Sequence, residues 1–305
     1  MKSLGQGLAH AKVILIGEHA VVYGHPGIAL PFLPLTLEVK VEPNDEDALH
    51  SEWFVGLMVN LPQELMFIKF LVDELRTFLH YGPVTVTIQN HIPSSAGMGS
   101  SAALSSALVQ ALYDFAEVPL TPAVRFEKTQ LAEKLVHGAA SGIDALTTTA
   151  DHAWYFVKGK DPLPINVRLP GLLVVANSGI KGSTKEAVGK VAKLFTQNLA
   201  QGHLESLGLM TLLTKEAIEK QSLEEVARYL NQAHFHLQEL GVSHPKVDAM
   251  VEDCLRLGAL GAKMTGGGLG GSMIALCETS AIAAGIIEHI KTHYTQEVWL
   301  MDLNQ

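Results

Sequence analysis

Only two cysteines occur in the 305 residues, Cys254 and Cys277. They form no close-spaced metal motif and no disulfide framework, so two reduced thiols packed as small hydrophobes are expected. Positive charge is also scarce: 22 Lys and Arg face 31 Asp and Glu, a net charge of -9. Such a surface has little with which to displace counterions, so no nucleic-acid partner is expected. Long apolar runs are missing as well. The longest uncharged one, around residues 26–37, carries Pro26, Pro31 and Pro34 and is too short to cross a bilayer, so no membrane association is expected. No apolar signal core stands near the N-terminus, and a cytoplasmic location follows as the expectation. The fourteen histidines include no His-Glu-x-x-His. His234 and His236 stand two apart in an expected helix and face different directions, so a zinc site is not expected.

What is present is a chain with a core: 48% hydrophobic and 17% charged residues exclude disorder, and the length suits two domains. Strands are expected at residues 12–16, 28–41, 83–89, 154–157, 172–176, 272–277 and 297–301. The alternation of Val84, Val86 and Ile88 marks a half-buried strand. Helices are expected at 62–80, at 101–115, from Thr121-Pro122 to about His137 with a stop at Gly138, through most of 183–240, from Pro245, and between the last two strands. Gly159, Pro162 and Pro164 mark a soft boundary. The expectation is an α+β fold with an N-terminal domain at 1–165, carrying a phosphate loop, and a C-terminal domain at 166–305.

Three glycine-bearing segments follow one another. The first runs from Lys12 through Gly17-Glu18-His19-Ala20 to Gly24. The second is Pro93-Ser94-Ser95-Ala96-Gly97-Met98-Gly99-Ser100-Ser101-Ala102-Ala103. The third is Lys263-Met264-Thr265-Gly266-Gly267-Gly268-Leu269-Gly270-Gly271. In the second, Gly97 and Gly99 permit positive φ and close approach to a ligand. The helix that follows offers free N–H groups and the positive end of its dipole to phosphate. No Gly-Lys-Ser/Thr is present, so this is not a Walker A loop, and the cation must come from elsewhere; Lys12 is the candidate. The second and third segments also match Gly-x-Gly-x-x-Gly/Ala. A dinucleotide site needs a strand directly before and a helix directly after, and neither segment has both. The bland alternative for the third is a turn before a strand.

Phosphoryl transfer needs a metal across the phosphates, a cation on the developing charge and a group for the alcohol proton. Lys12, Glu133 and Asp144 are the candidate set. Each has a second reading. Ser141 to Asp144 has capping-box spacing, so Asp144 could neutralise a helix N-terminus. Glu133 and Lys12 could be solvated charges, and His19 a buried histidine with its bonds satisfied.

Together the segments resemble the small-molecule kinases of the galactokinase, homoserine kinase, mevalonate kinase and phosphomevalonate kinase superfamily, the GHMP kinases. Gly17-Glu18-His19-Ala20-Val21-Val22-Tyr23-Gly24 is similar to the first signature of the mevalonate kinases. The second segment is similar to the phosphate loop, with Ser95 and Met98 where glycine and leucine are usual. The third resembles Lys-x-Thr-Gly-Ala-Gly-x-Gly-Gly, with Gly267 for alanine. Lys181 to Lys185 resembles a substrate-proximal loop. The resemblance implies a ribosomal-protein-like βαβ N-terminal domain, a ferredoxin-like C-terminal domain, and ATP-dependent phosphorylation of the C5 hydroxyl of mevalonate in isoprenoid precursor synthesis. It implies Asp144 as the group that accepts or orients the alcohol proton and Lys12 as the cation that acidifies the hydroxyl. It implies Mg²⁺ on Ser101 and Glu133, the triphosphate within residues 93–103, mevalonate at Glu18 and His19, and a homodimer. A sister kinase acting on phosphomevalonate and a non-catalytic ligand sensor are the alternatives.

Overall fold

The helix expected at 62–80 shows how the pattern becomes structure. Phe67, Ile68, Leu71, Val72, Leu75 and Leu79 recur at helical spacing and are all buried. In this computed structural model, residues 1–94, 96–137 and 142–304 are described. They group into two units, each drawn from more than one stretch of chain. The first comprises Met1–Lys12, Pro31–Ile92 and Gly99–Ala150; the second comprises Val13–Leu30, Pro93–Met98 and Asp151–Gln305. The two stretches 13–30 and 93–98 therefore group with the later chain, and the last break falls at Ala150, ahead of the Gly159–Pro164 cluster.

The elements of the early chain are β1 (Gly5–Ile16), β2 (Pro26–Pro43), β3 (Ala48–His50), β4 (Val55–Leu57), α1 (Met66–Leu79), β5 (Val84–Asn90), α2 (Ser100–Ala116), α3 (Pro122–His137) and α4 (Ile143–Thr147). β5 pairs antiparallel with residues 37–43 of β2 and parallel with β3, and β3 pairs with β4. Helices α1, α2 and α3 pack on one another in the first unit. Side chains of α2 serve the backbone of β1: Gln6 N donates to Asp114 Oδ2 at 3.0 Å, and Leu8 N to Gln110 Oε1 at 3.0 Å. These bonds satisfy N–H groups that an edge would otherwise expose. Pro31 and Pro34 do not interrupt β2. They fall between the residues paired to β5 and those paired to β6 below, where a missing N–H removes neither set of bonds.

The later elements are β6 (Ala153–Val157), β7 (Leu163–Ile165), β8 (Leu172–Asn177), α5 (Thr184–Thr196), α6 (Gln201–Glu219), α7 (Leu223–Glu239), α8 (Pro245–Arg256), β9 (Gly261–Thr265), β10 (Ser272–Cys277), α9 (Ser280–His293) and β11 (Val298–Asp302). β6 pairs with residues 26–29 of β2 and with β7. A separate four-stranded antiparallel sheet has the order β11-β8-β10-β9. β9 and β10 are buried along their whole length. Helices α7 and α8 pack on β9, and α9 packs on β8 and β11. Hydroxyls cap three of these helices: Ser183 accepts from Glu186 N, Ser222 from Glu225 N and Thr279 from Ile282 N. Among the described residues, no helix is long and apolar enough to cross a membrane.

Candidate active site

Two helices of the first unit begin differently from those three. α2 starts at Gly99, with φ 75°, and α4 at Gly142, with φ 90°, and neither has a side-chain cap. The first-turn N–H groups of α2 are thus left for another acceptor. A Cβ at Gly99 would lie 2.9 Å from Lys12 Cγ and 3.2 Å from Thr148 Cγ2. Glycine is needed here for both its φ and the approach of the Lys12 stem.

Lys12, in the buried part of β1, has almost no exposed surface, and its Nζ lies 2.9 Å from Asp144 Oδ1. Asp144 sits in the first turn of α4 and keeps about a third of its side chain exposed. α4 is joined to β1 by His10 N, which donates to Thr148 O at 3.0 Å. Arg125 on α3 also reaches β1, donating to Leu8 O at 2.7 Å and to Ser106 Oγ on α2 at 2.8 Å; burial lowers its pKa to about 10. Across the same helix pair, Ser101 Oγ donates to Glu133 Oε1 at 2.6 Å. Glu133 is buried. The alternatives that left Lys12 and Glu133 as solvated charges are therefore corrected: packing between elements, invisible to helical periodicity, encloses both. Ser95 of the phosphate loop, Gly138 of the expected helix stop and Ser141 of the capping-box spacing lie outside the described residues.

In the second unit the glycine segment after β9 supports several neighbours. A Cβ at Gly97 would lie 3.2 Å from Gly266 Cα, and Ser272 Oγ donates to Ala96 O at 3.0 Å. Thr265 Oγ1 donates to Ile14 O at 2.8 Å and accepts from Ile14 N at 3.1 Å. Ser183 N donates to Gly268 O at 3.2 Å. The segment is thus more than the plain turn that was its bland alternative. Of the expected phosphate-loop residues, 93–98 group with this unit and 99–103 with the first.

Glu18 and His19 also belong to the second unit. Glu18 is fully buried, with its carboxylate on the ammonium of Lys263 from β9. His19 is 6% exposed and has φ 60°. Burial lowers its pKa to about 4, opposed by a hydrogen bond to the Gly267 backbone and reinforced by the charge of Lys263. The ring is neutral at physiological pH, and its Nε2 has no hydrogen-bond partner among the described residues. Lys263 had no role in the sequence reading. Its signal was a lone lysine inside the run Gly261-Ala-Lys-Met-Thr265, where the strand is buried on every residue.

Residues 65–150 match the family described as GHMP kinases N terminal domain, and residues 214–296 match GHMP kinases C terminal. The mevalonate kinase of Pyrococcus horikoshii is 34% identical over 295 residues, covering 88% of this chain and 87% of that protein. The mevalonate kinase of Thermococcus sibiricus is 34% identical over 307 residues, covering 91% of each. Among solved structures, the mevalonate kinase of methicillin-resistant Staphylococcus aureus superposes with a TM-score of 0.80 at 30% identity and full coverage of both chains.

Proposed function

The chain belongs to the GHMP kinase family, among its mevalonate kinases, and from that premise we propose that Asp144 and Lys12 carry the chemical step. The reaction is ATP-dependent phosphorylation of the C5 hydroxyl of mevalonate, giving 5-phosphomevalonate and ADP. The observation that carries the assignment is the 2.9 Å contact between Lys12 Nζ and Asp144 Oδ1, a buried ammonium held against a part-exposed carboxylate.

The alcohol oxygen attacks the γ-phosphorus. The new O–P bond forms as the bond to the bridging oxygen of ADP breaks, and the alcohol proton passes to the Asp144 carboxylate. Charge spreads over the transferring phosphoryl oxygens, and the Lys12 ammonium, shielded from water, stabilises it with little reorganisation. The uncapped first turn of α2 binds the phosphates through its free backbone N–H groups, with residues 93–103 as the phosphate loop.

A hard divalent cation takes oxygen ligands, and the Ser101 hydroxyl and Glu133 carboxylate, 2.6 Å apart, are such a donor set. These two residues would hold Mg²⁺, which when bound neutralises charge on the nucleotide phosphates. His19 meets mevalonate directly, its Nε2 accepting from a substrate hydroxyl. Glu18 acts on the acceptor through its position beside His19. A homodimer and a cytoplasmic location belong to the same reading; light scattering and cell fractionation test them.

ADP release with Mg-ATP, measured against mevalonate, phosphomevalonate, galactose and homoserine, tests the function. Turnover with mevalonate alone is expected. Turnover with phosphomevalonate instead would make the chain a sister kinase, and binding of ATP without turnover on any of the four would favour a ligand sensor.

A further inference from the structure

The His19 turn is held in a costly conformation. Ala20 N donates to Glu18 O at 2.6 Å, which closes a three-residue turn with His19 at its centre, φ 60° and ψ -46°. This is the γ-turn of positive φ, rare and strained for a residue with a side chain. Such strain persists only where surrounding groups over-determine it.

Two groups flank the turn. On one side the His19 ring bonds to the Gly267 backbone. On the other, Glu18 meets Lys263, whose Nζ also donates to Met264 O at 2.5 Å. Lys263 has no exposed surface, and burial pulls its pKa down against the opposing pull of Glu18. Its charge in turn helps to lower the pKa of two neighbouring rings, His19 and His234. His234 lies 3.3 Å from Asp248 Oδ1, which accepts from Ser243 Oγ at 2.5 Å. A buried ion pair is weak evidence for stability, because desolvation offsets most of its attraction. Its worth lies in position: β9 is hydrogen-bonded to β10 through residues 261–265, so the ammonium is a fixed point.

We propose that Lys263 is a positioning residue for the phosphoryl acceptor: by holding the Glu18 carboxylate, it keeps the His19 turn in the geometry that presents the imidazole to substrate. This rests on the assignment of His19 to mevalonate. The pair itself stays clear of substrate and acts only through the turn.

The test uses the full chain with Lys263→Met and the double variant Glu18→Gln/Lys263→Met. Four readouts are taken: melting temperature, KM for mevalonate, KM for ATP, and the imidazole ¹⁵N shifts of His19 in the substrate-free protein. Lys263→Met alone lowers the melting temperature, because it strands a buried carboxylate. The double variant removes both charges and recovers the melting temperature. Its KM for mevalonate stays raised by about tenfold or more, its KM for ATP changes by less than about twofold, and its His19 shifts differ from wild type. A double variant that regains the wild-type KM for mevalonate makes the pair structural only and overturns the proposal. So does a parallel rise in both KM values. If wild type does not use mevalonate, the His19 shifts still decide. Shifts that move in the double variant keep the positioning role while the substrate assignment falls, and unmoved shifts sink the positioning role whatever the substrate. Should both variants fail to fold, Glu18→Gln carries the same test, with a smaller rise in KM for mevalonate expected and an unchanged KM and unchanged shifts overturning the proposal.

Discussion

Lys12 Nζ and Asp144 Oδ1 lie 2.9 Å apart, yet the lysine side chain is 4% exposed and the aspartate 35%. The cation is fixed inside the packing and the anion presents an edge to solvent. That asymmetry suits a group that must take a proton from an incoming alcohol beside a charge that must not move. Asp144→Asn keeps an oxygen near Lys12 and should fold normally, while kcat falls by about 10²–10⁴. Asp144→Ala should lose as much turnover and also lower the melting temperature, because a buried ammonium is left without its partner. Near-wild-type kcat in Asp144→Asn would remove the proton-accepting role. Kinetics and a thermal melt on the two proteins separate the effects.

The 2.6 Å hydrogen bond from Ser101 Oγ to Glu133 Oε1 joins α2 to α3 and gathers two hard oxygen donors. Ser101→Ala and Glu133→Gln should each raise the Mg²⁺ concentration needed for half-maximal rate and the KM for Mg-ATP, by about tenfold or more. The KM for mevalonate should change little. A titration of Mg²⁺ at fixed ATP reads this directly. Normal metal dependence in both variants would place the metal elsewhere.

The elements with strong local signals were legible. The Val84-x-Val86-x-Ile88 alternation became β5, Thr121-Pro122 opened α3 with Thr121 Oγ1 3.3 Å from Val124 N, and Pro245 opened α8. The short strands Ala48–His50, Val55–Leu57 and Leu163–Ile165 were not legible, since three residues carry too little periodicity. β1 begins at Gly5, well before the apolar run at Lys12; it pairs with β2, and Asp114 and Gln110 of α2 accept from Gln6 N and Leu8 N in its first half, partners that its own pattern does not announce. At the site, the needs of phosphoryl transfer singled out Lys12, Glu133 and Asp144, and the family resemblance added Ser101 and gave each a role. Spacing and composition alone left Lys12 and Glu133 as solvated charges and Asp144 as a capping one. Only packing across elements shows that Glu133 is buried on Ser101 and that Glu18 is committed to Lys263.

Gly267 stands where the family signature has alanine, and the structure supplies a reason. A Cβ there would lie 1.9 Å from Thr184 Oγ1 and 2.7 Å from Thr184 Cβ. Thr184 is the first residue of α5, held by the Ser183 cap, so it cannot simply withdraw. Gly267→Ala should cost about 1–3 kcal/mol of stability through overpacking. Adding Thr184→Gly should return part of that loss, giving a favourable coupling in a double-mutant cycle. Denaturant unfolding of the four proteins measures it. Additive losses would mean that the two positions do not collide in solution.

Acid should destabilise the protein in two separate windows. Burial lowers the pKa of both His19 and His234 from the ordinary 6.5 to about 4, so each is neutral in the folded chain and binds a proton more readily when unfolded. Between those values the unfolded state holds more protons, and stability falls as pH drops, by up to about 1.4 kcal/mol per pH unit for each ring. Above about pH 6.5 the contribution is fully present, and below about pH 4 it is gone. Asp253 behaves differently. Its carboxylate accepts from Arg256 Nη2, His289 Nε2 and Tyr294 OH at 2.7, 2.6 and 2.9 Å, and these bonds hold its pKa well below the ordinary 3.8. Its contribution is therefore lost only as pH falls below about 4. Melting temperatures from pH 7.5 to 3 should show both phases. His234→Gln should flatten the upper phase, since glutamine does not titrate, and leave the lower one in place. Asp253→Asn should do the reverse, and an upper phase unchanged in His234→Gln would remove that ring from the account.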